Sequence, residues 1–256
     1  MPLSHFPCEV WQVISPFLHC SDIIRLWCSG DSRLRVLLGP QGGIRRLILS
    51  TDARSNIVVP QLIYQLPHLE YLSIRLIDHA SVTLQGLNVQ SLPRKLKGLA
   101  ITMFQPHLPL IRHVKDTKEE DNMLIPLANL FPQLESLSLI GDLKNVDESF
   151  CQALPAHILS LRLLSHTVGL IDLESMPKSL TDLRLERIFA TNRSDVTVLP
   201  PSLRRYFGEI YIGENTTLPS TLTHLDTMIG ASVAGTKFPQ LPPLIHKLSL
   251  SLGQNM

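Results

Sequence analysis

Residues Leu154–Leu163 read LPAHILSLRL, and this stretch decides the fold. A Leu-Pro pair is followed by apolar residues at Ile158, Leu161 and Leu163. Two residues of variable type separate Ile158 from Leu161, and one separates Leu161 from Leu163. The same spacing returns nine times along the 256 residues, with the first apolar position at residues 44, 69, 96, 134, 158, 180, 203, 222 and 245. Self-similarity with a period of about 20 to 50 residues is typical of solenoid proteins, in which each copy forms one coil. The sequence therefore predicts a stacked array of repeats.

The last two apolar positions of each copy predict how the coils stack. Residues two apart on a strand point to the same face of a sheet, so Leu161 and Leu163 point inward while Arg162 faces outward. The proline ahead of each copy suits an extended segment that leads into a strand, because no ladder hydrogen bond is needed there yet. We therefore expect a parallel sheet of nine strands joined by extended or 3₁₀ segments rather than by long helices.

The first forty residues follow a helical pattern instead. Val10, Ile14 and Leu18 fall on one helical face, Asp22 is a helix N-cap signal, and Gly30 separates a second apolar segment from a third. Three short amphipathic helices in so few residues cannot enclose a core by themselves. Their apolar faces must therefore contact either the first repeat or another protein.

Charge and cysteine content argue against several classes of protein. The formal net charge is +1 and only 18% of residues are charged, so no basic surface for nucleic acid or for an anionic membrane is indicated. Cys8, Cys20, Cys28 and Cys151 lack zinc-ligand spacing and predict free thiols in a reducing compartment. Neither a signal peptide nor an apolar run of about 18 residues is present. We therefore expect a cytoplasmic and/or nuclear protein that binds neither nucleic acid nor membrane.

Patterns that carry catalytic or metal chemistry are not found. The ten histidines do not converge at metal-ligand spacing, and the sequence contains no nucleophile elbow, P-loop or HExxH motif. We therefore expect no catalytic residue, no metal site and no cofactor, so the protein is predicted not to be an enzyme.

The repeats resemble those of leucine-rich repeat proteins with a proline ahead of each copy. The resemblance implies an α/β solenoid at 41–256, a horseshoe with a parallel sheet, about nine repeats and a charged insertion near 105–125. The concave face is the usual recognition surface of such solenoids, and arginine with aromatic residues is typical of binding hot spots. The predicted target-binding residues on this face are Tyr71, Arg162, Arg184, Arg205, Phe207 and Asp226. Alternatively, the arginines only pair with carboxylates on neighbouring strands and bind nothing.

Residues 3–38 resemble an F-box. The residues that carry the resemblance are Pro7, Glu9, Val10, Ile14, Phe17, Leu18, Asp22 and Ile23. It implies a small three-helix F-box-like module at 1–40 that docks onto the Skp-type adaptor of a cullin–RING ubiquitin ligase. The implied adaptor-binding residues are Phe6, Pro7, Val10, Ile14, Leu18 and Leu26. An F-box leucine-rich repeat protein of this kind is a non-catalytic substrate receptor in the ubiquitin-like conjugation pathway, and its array binds a target protein.

Two questions stay open at this point. In a second interpretation the chain is a leucine-rich repeat interaction scaffold unrelated to ubiquitin, whose N-terminal helices only cap the first repeat. The last predicted strand, with Leu248 and Leu250, would also leave a sheet edge and its leucines open. Either the protein continues beyond this chain or that edge pairs with a partner.

Overall fold

The structure is a computed structural model whose described residues lie in the repeat region. They are residues 45–51, 66, 68–76, 92–103, 131–141, 148–191, 198–209, 216–230 and 240–253. The predicted module at 1–40 lies outside the described residues, and so do all of its predicted adaptor-binding residues, Phe6, Pro7, Val10, Ile14, Leu18 and Leu26. The charged insertion near 105–125 also lies outside them.

The described residues form one sheet of nine parallel strands, and each strand pairs with its neighbours in chain order. The strands are β1 (Arg46–Thr51), β2 (Tyr71–Leu76), β3 (Gly98–Met103), β4 (Ser136–Gly141), β5 (Ser160–Asp172), β6 (Asp182–Thr191), β7 (Arg205–Glu209), β8 (His224–Gly230) and β9 (Lys247–Gly253). The described part of the chain is therefore a parallel-stranded β-solenoid, and the predicted stacking of one strand per repeat is confirmed. The predicted α/β class is not, because the described residues contain almost no helix.

Helix is almost absent from the described part of the chain. One helix, α1 (Glu148–Gln152), lies between β4 and β5. No described helix is long and apolar enough to cross a membrane. The described return segments are thus mostly non-helical, as expected from the prolines ahead of the strands.

The register stacks the inward residues of one coil directly on those of the next. Leu137, Leu161 and Leu183 are register partners in series, and all three are buried. The second inward position behaves alike, since Leu139, Leu163 and Leu185 are also in register and buried. Burying one such leucine contributes about 1.5–3 kcal/mol, so the column as a whole is a large stabilising contribution.

In the eight copies whose turn is described, a tight turn places the first apolar residue. The backbone N–H of Ile158 donates to the carbonyl of Pro155 at 3.0 Å, and that of Leu180 donates to the carbonyl of Pro177 at 3.2 Å. Proline lacks an N–H but keeps its carbonyl, so it can begin this turn without losing a hydrogen bond that the fold uses. The turn points Ile158 and Leu180 into the core, where both are buried.

The coil of β7 replaces the two inward leucines with Tyr206 and Gly208. Tyr206 is buried, and a Cβ atom added at Gly208 would lie 2.9 Å from the Tyr206 hydroxyl oxygen and 2.9 Å from the Leu185 carbonyl oxygen. Both separations are shorter than real Cβ contacts. The glycine therefore makes room for the larger aromatic side chain, and the two substitutions compensate each other in volume.

The pairing of β5 with β6 is interrupted by a bulge. The register shifts between Leu164 and Gly169, and pairing resumes with Gly169 opposite Ile188. Arg187 lies at this interruption with a φ of 58°, a left-handed conformation that is uncommon for a residue with a side chain. The bulge therefore separates the regular solenoid ladder, which includes Arg184, from an extra paired segment at the ends of the two strands.

Candidate protein-binding face

Four of the predicted target-binding residues lie side by side on the outward face of the sheet. Arg162 on β5, Arg184 on β6, Phe207 on β7 and Asp226 on β8 are register partners in series. Neighbouring strands lie about 4.8 Å apart, so these side chains form one continuous row. We refer to this row, together with Asp182, Glu186 and Arg205, as the outward patch.

Arg184 is at the centre of the outward patch. Its guanidinium carbon lies 4.4 Å from the centroid of the Phe207 ring, within the range of a cation–π contact. Its Nε atom lies 2.6 Å from Oε1 of Glu186. The ring and the carboxylate thus both contact the Arg184 guanidinium group, while Phe207 itself stays exposed.

Glu186 links two arginines. Nη2 of Arg162 lies 3.2 Å from the same oxygen, Oε1, that Arg184 contacts. The register places Arg162 beside Arg184, and like charges in that arrangement repel each other. Glu186 lies two residues after Arg184 and therefore on the same face, where its carboxylate relieves the repulsion. The site prediction omitted Glu186, although the two-residue spacing from Arg184 was a signal for it.

Arg205 forms a separate ion pair at the edge of the outward patch. It is the register partner of Asp182, and its Nη2 atom contacts Oδ2 of that residue. Pairing of arginines with carboxylates of the sheet, the alternative considered from the sequence, is thus present for Arg162, Arg184 and Arg205. Their side chains nevertheless remain 40%, 41% and 64% exposed, so pairing does not remove them from solvent. Binding by this face stays a prediction.

Tyr71 lies apart from the other predicted residues. It is on β2 beside Gly98, and a Cβ atom at Gly98 would lie 2.6 Å from Cδ1 of the ring. The exposed ring therefore occupies the space beside the glycine, with the guanidinium carbon of Arg46 5.8 Å from its centroid. Three strand spacings, about 14 Å, separate β2 from β5. At the register positions of Tyr71 and Ser73, the intervening outward residues are small: Gly98, Ala100, Ser136 and Ser138.

The described residues do not converge on a metal site. In that part of the chain no group of three or more His, Cys, Asp or Glu side chains is placed to hold a metal ion. Cys151, the cysteine within the described residues, is buried and is not part of a disulfide. The outward patch itself consists of three arginines, three carboxylates and one aromatic ring.

Comparison with known proteins gives one partial similarity. An F-box protein of Arabidopsis thaliana is 30% identical to this chain over 95 residues. The aligned part covers 37% of this chain, and the chain spans 19% of the length of that relative. No family model matches the chain, and no solved structure matches it. Over that aligned part, the chain is similar to an F-box protein.

Proposed function

We propose that this protein is a non-catalytic substrate receptor of a cullin–RING ubiquitin ligase. Residues 1–40 would be an F-box that docks onto the Skp-type adaptor, and the repeats would be a leucine-rich repeat horseshoe that binds a target protein. The observation that carries this proposal is the combination of an F-box pattern from Pro7 to Ile23 with a parallel solenoid. Partial similarity to an F-box protein supports it.

The leucine-rich repeat assignment is part of this proposal. Its support is the recurring apolar spacing, whose last two positions point inward on parallel strands stacked in register. Nine strands at about 4.8 Å each extend the outward face over about 40 Å, enough to contact a folded domain. In this proposal the face is concave and the outward patch, with Tyr71 at a distance from it, contacts the target. Ubiquitin transfer is carried out by the ligase partners, in the cytoplasm and/or nucleus.

Docking onto the adaptor is tested by titrating the full chain with a purified Skp-type adaptor. Val10→Asp or Leu18→Asp places a charge on the apolar helix face and is expected to weaken binding about 30-fold or more, the equivalent of about 2 kcal/mol. Gln12→Asp adds the same charge on another face of the predicted helix and serves as the matched control. Absence of binding by the unmodified chain, or equal loss in all three variants, contradicts the proposal.

The contribution of the outward patch is tested separately. Quantitative mass spectrometry compares proteins that co-purify with the unmodified chain and with an Arg184→Glu/Phe207→Ala variant. Lys95→Glu, an exposed change in the turn before β3, is the matched control. A protein that binds the outward patch is expected to be missing from the material that co-purifies with the first variant and present with the control. After purification, it is expected to bind the unmodified chain directly. A target that binds both variants equally well must contact another surface.

The second candidate is an interaction scaffold in which residues 1–40 only cap the first repeat. Deleting those residues distinguishes the two functions. A docking module can be removed with little change in the unfolding midpoint of the array, because it contributes few contacts to the leucine column. Removal of a cap uncovers the buried Leu47 on β1 and lowers the midpoint markedly.

A further inference from the structure

The charges of the outward patch are not balanced at its arginine end. Three arginines lie on the neighbouring strands β5, β6 and β7: Arg162, Arg184 and Arg205. The carboxylates that they contact are two, Glu186 and Asp182. These contacts therefore leave one positive charge uncompensated at this end of the patch.

The surplus charge belongs to Arg162 and Arg184, because both side chains contact the same oxygen of Glu186. Within the described part of the chain, Nη2 of Arg162 donates a hydrogen bond to that oxygen at 3.2 Å. The Nε atom of Arg184 is close to it but is not aligned for a hydrogen bond. Since an arginine has five N–H donors and both side chains are partly exposed, the pair retains donors for a second, external carboxylate.

Asp226 gives the other end of the row the opposite charge. It lies on β8 beside Phe207, two strand spacings or about 10 Å from Arg184. None of the ion pairs between described residues includes Asp226. The exposed ring of Phe207 lies between this carboxylate and the arginine pair. The row therefore runs from a positive end, across an apolar ring, to a negative end.

We propose that the outward patch binds a target segment whose charges run in the reverse order. An acidic side chain of the segment contacts Arg162 and Arg184, and an apolar side chain packs on Phe207. A basic side chain, about 10 Å from the acidic one, contacts Asp226. Opposite charges that match across an interface fix the orientation of the partner, and they disfavour a segment with the two charges exchanged. The inference rests on the proposed function only in that this face binds a target protein.

The acidic group of the segment is a carboxylate rather than a phosphate. One surplus positive charge matches the single negative charge of Asp or Glu. A phosphorylated residue carries a charge of about −1.5 to −2 at pH 7, and Glu186 already lies against both arginines. The additional negative charge would therefore be repelled by Glu186 without gaining a further positive partner.

Selection of random displayed peptides on the immobilised full chain tests this order of charges. Peptides that bind the unmodified chain are expected to share an acidic and a basic residue on either side of an apolar one. Arg184→Glu is expected to change the acidic preference to a basic one, and Asp226→Lys to change the basic preference to an acidic one. Lys95→Glu, in the turn before β3, is the matched control and is expected to keep the original preferences.

A selected peptide then gives the quantitative test by fluorescence anisotropy. Arg184→Glu is expected to weaken its binding about 10-fold or more. Replacing the acidic residue of the peptide with lysine is expected to restore binding to that variant, which loss of a purely structural contact would not allow. Replacing it with phosphoserine is expected to give no tighter binding to the unmodified chain.

The proposal is overturned if the unmodified chain enriches no peptide, if the enriched peptides share no charge pattern, or if neither charge reversal alters that pattern. Binding that is about 10-fold tighter with phosphoserine overturns the choice of a carboxylate. These measurements contain no adaptor, so failure of adaptor docking leaves them unaffected. A target that co-purifies through Arg184 and Phe207, while the peptides show no charge pattern, would retain the proposed function and remove this inference alone.

Discussion

Strand β6 presents two kinds of side chain on its two faces. Leu183 and Leu185 point inward and are buried, whereas Arg184 between them is about two-fifths exposed and contacts Phe207 and Glu186. The inward positions keep leucine or isoleucine in most coils, because each must pack on the same residue of the next coil. The outward positions vary from strand to strand. The inward row therefore determines the fold, and the outward row is free to carry recognition.

The largest expected loss of stability comes from a substitution in the inward row, and it is compared with a substitution in the outward row. Leu183→Ala removes buried methyl groups from the centre of the leucine column and is expected to lower the free energy of unfolding by about 2–5 kcal/mol. Arg184→Ala, one residue away on the outward face, is expected to change it by less than about 1 kcal/mol. Urea unfolding followed by circular dichroism measures both. Equal losses would mean that the two faces of β6 are not distinct.

Gly208→Ala tests how tightly the inward row is packed. The added methyl group would approach the Leu185 carbonyl oxygen, which cannot move without disturbing the ladder, so we expect a loss of about 1–3 kcal/mol. Combining it with Tyr206→Phe, which removes the hydroxyl oxygen on the other side, is expected to cost less than the sum of the two single changes. Strict additivity in a double-mutant cycle contradicts this account of the close contact.

Leu248→Ala extends the comparison to the last described strand, β9. The residue occupies the same inward position as Leu183 but is partly exposed, so its truncation is expected to cost about half as much, on the order of 1–2 kcal/mol. Urea unfolding followed by circular dichroism measures this loss beside that of Leu183→Ala. A loss as large as that of Leu183→Ala would show that β9 is covered in solution.

Glu186→Gln is expected to have the smallest effect on stability. The change removes the carboxylate shared by Arg162 and Arg184 and leaves two neighbouring guanidinium groups, at a cost of about 0.2–1 kcal/mol. The difference from the unmodified chain should shrink in 1 M salt, because exposed charges are screened. Asp226→Asn, which neutralises another carboxylate of the outward patch, is the control. A cost that does not depend on salt contradicts the electrostatic explanation.

The sequence was sufficient to predict the nine strands, their parallel order and their inward residues. Inward residues alternate along each strand, and the whole pattern recurs about every 20 to 30 residues. Few folds other than a stack of parallel strands accommodate both periods, since every coil repeats the same local geometry. The outward row also followed from this geometry, and it brought Arg162, Arg184, Phe207 and Asp226 together.

Other features depend on contacts that have no repeated signal. The packing of Tyr71 over Gly98 depends on a rotamer, and the left-handed Arg187 depends on the bulge between β5 and β6. The sequence alone could not predict that Arg162 and Arg184 would contact the same oxygen of Glu186. The F-box-like module at 1–40 stays a prediction with its adaptor-binding residues.

Hydrogen–deuterium exchange on the full chain tests the central claim, a single stack of coils joined by one ladder, most directly. Thr181, Arg204 and Thr223 each donate a backbone N–H to a carbonyl of the preceding coil. The account predicts that these amides and the strand amides of β4 to β8 are protected and exchange together as one cooperative unit. The claim would be contradicted if these amides exchanged as fast as in an unfolded chain, or if the opening free energies differed from strand to strand.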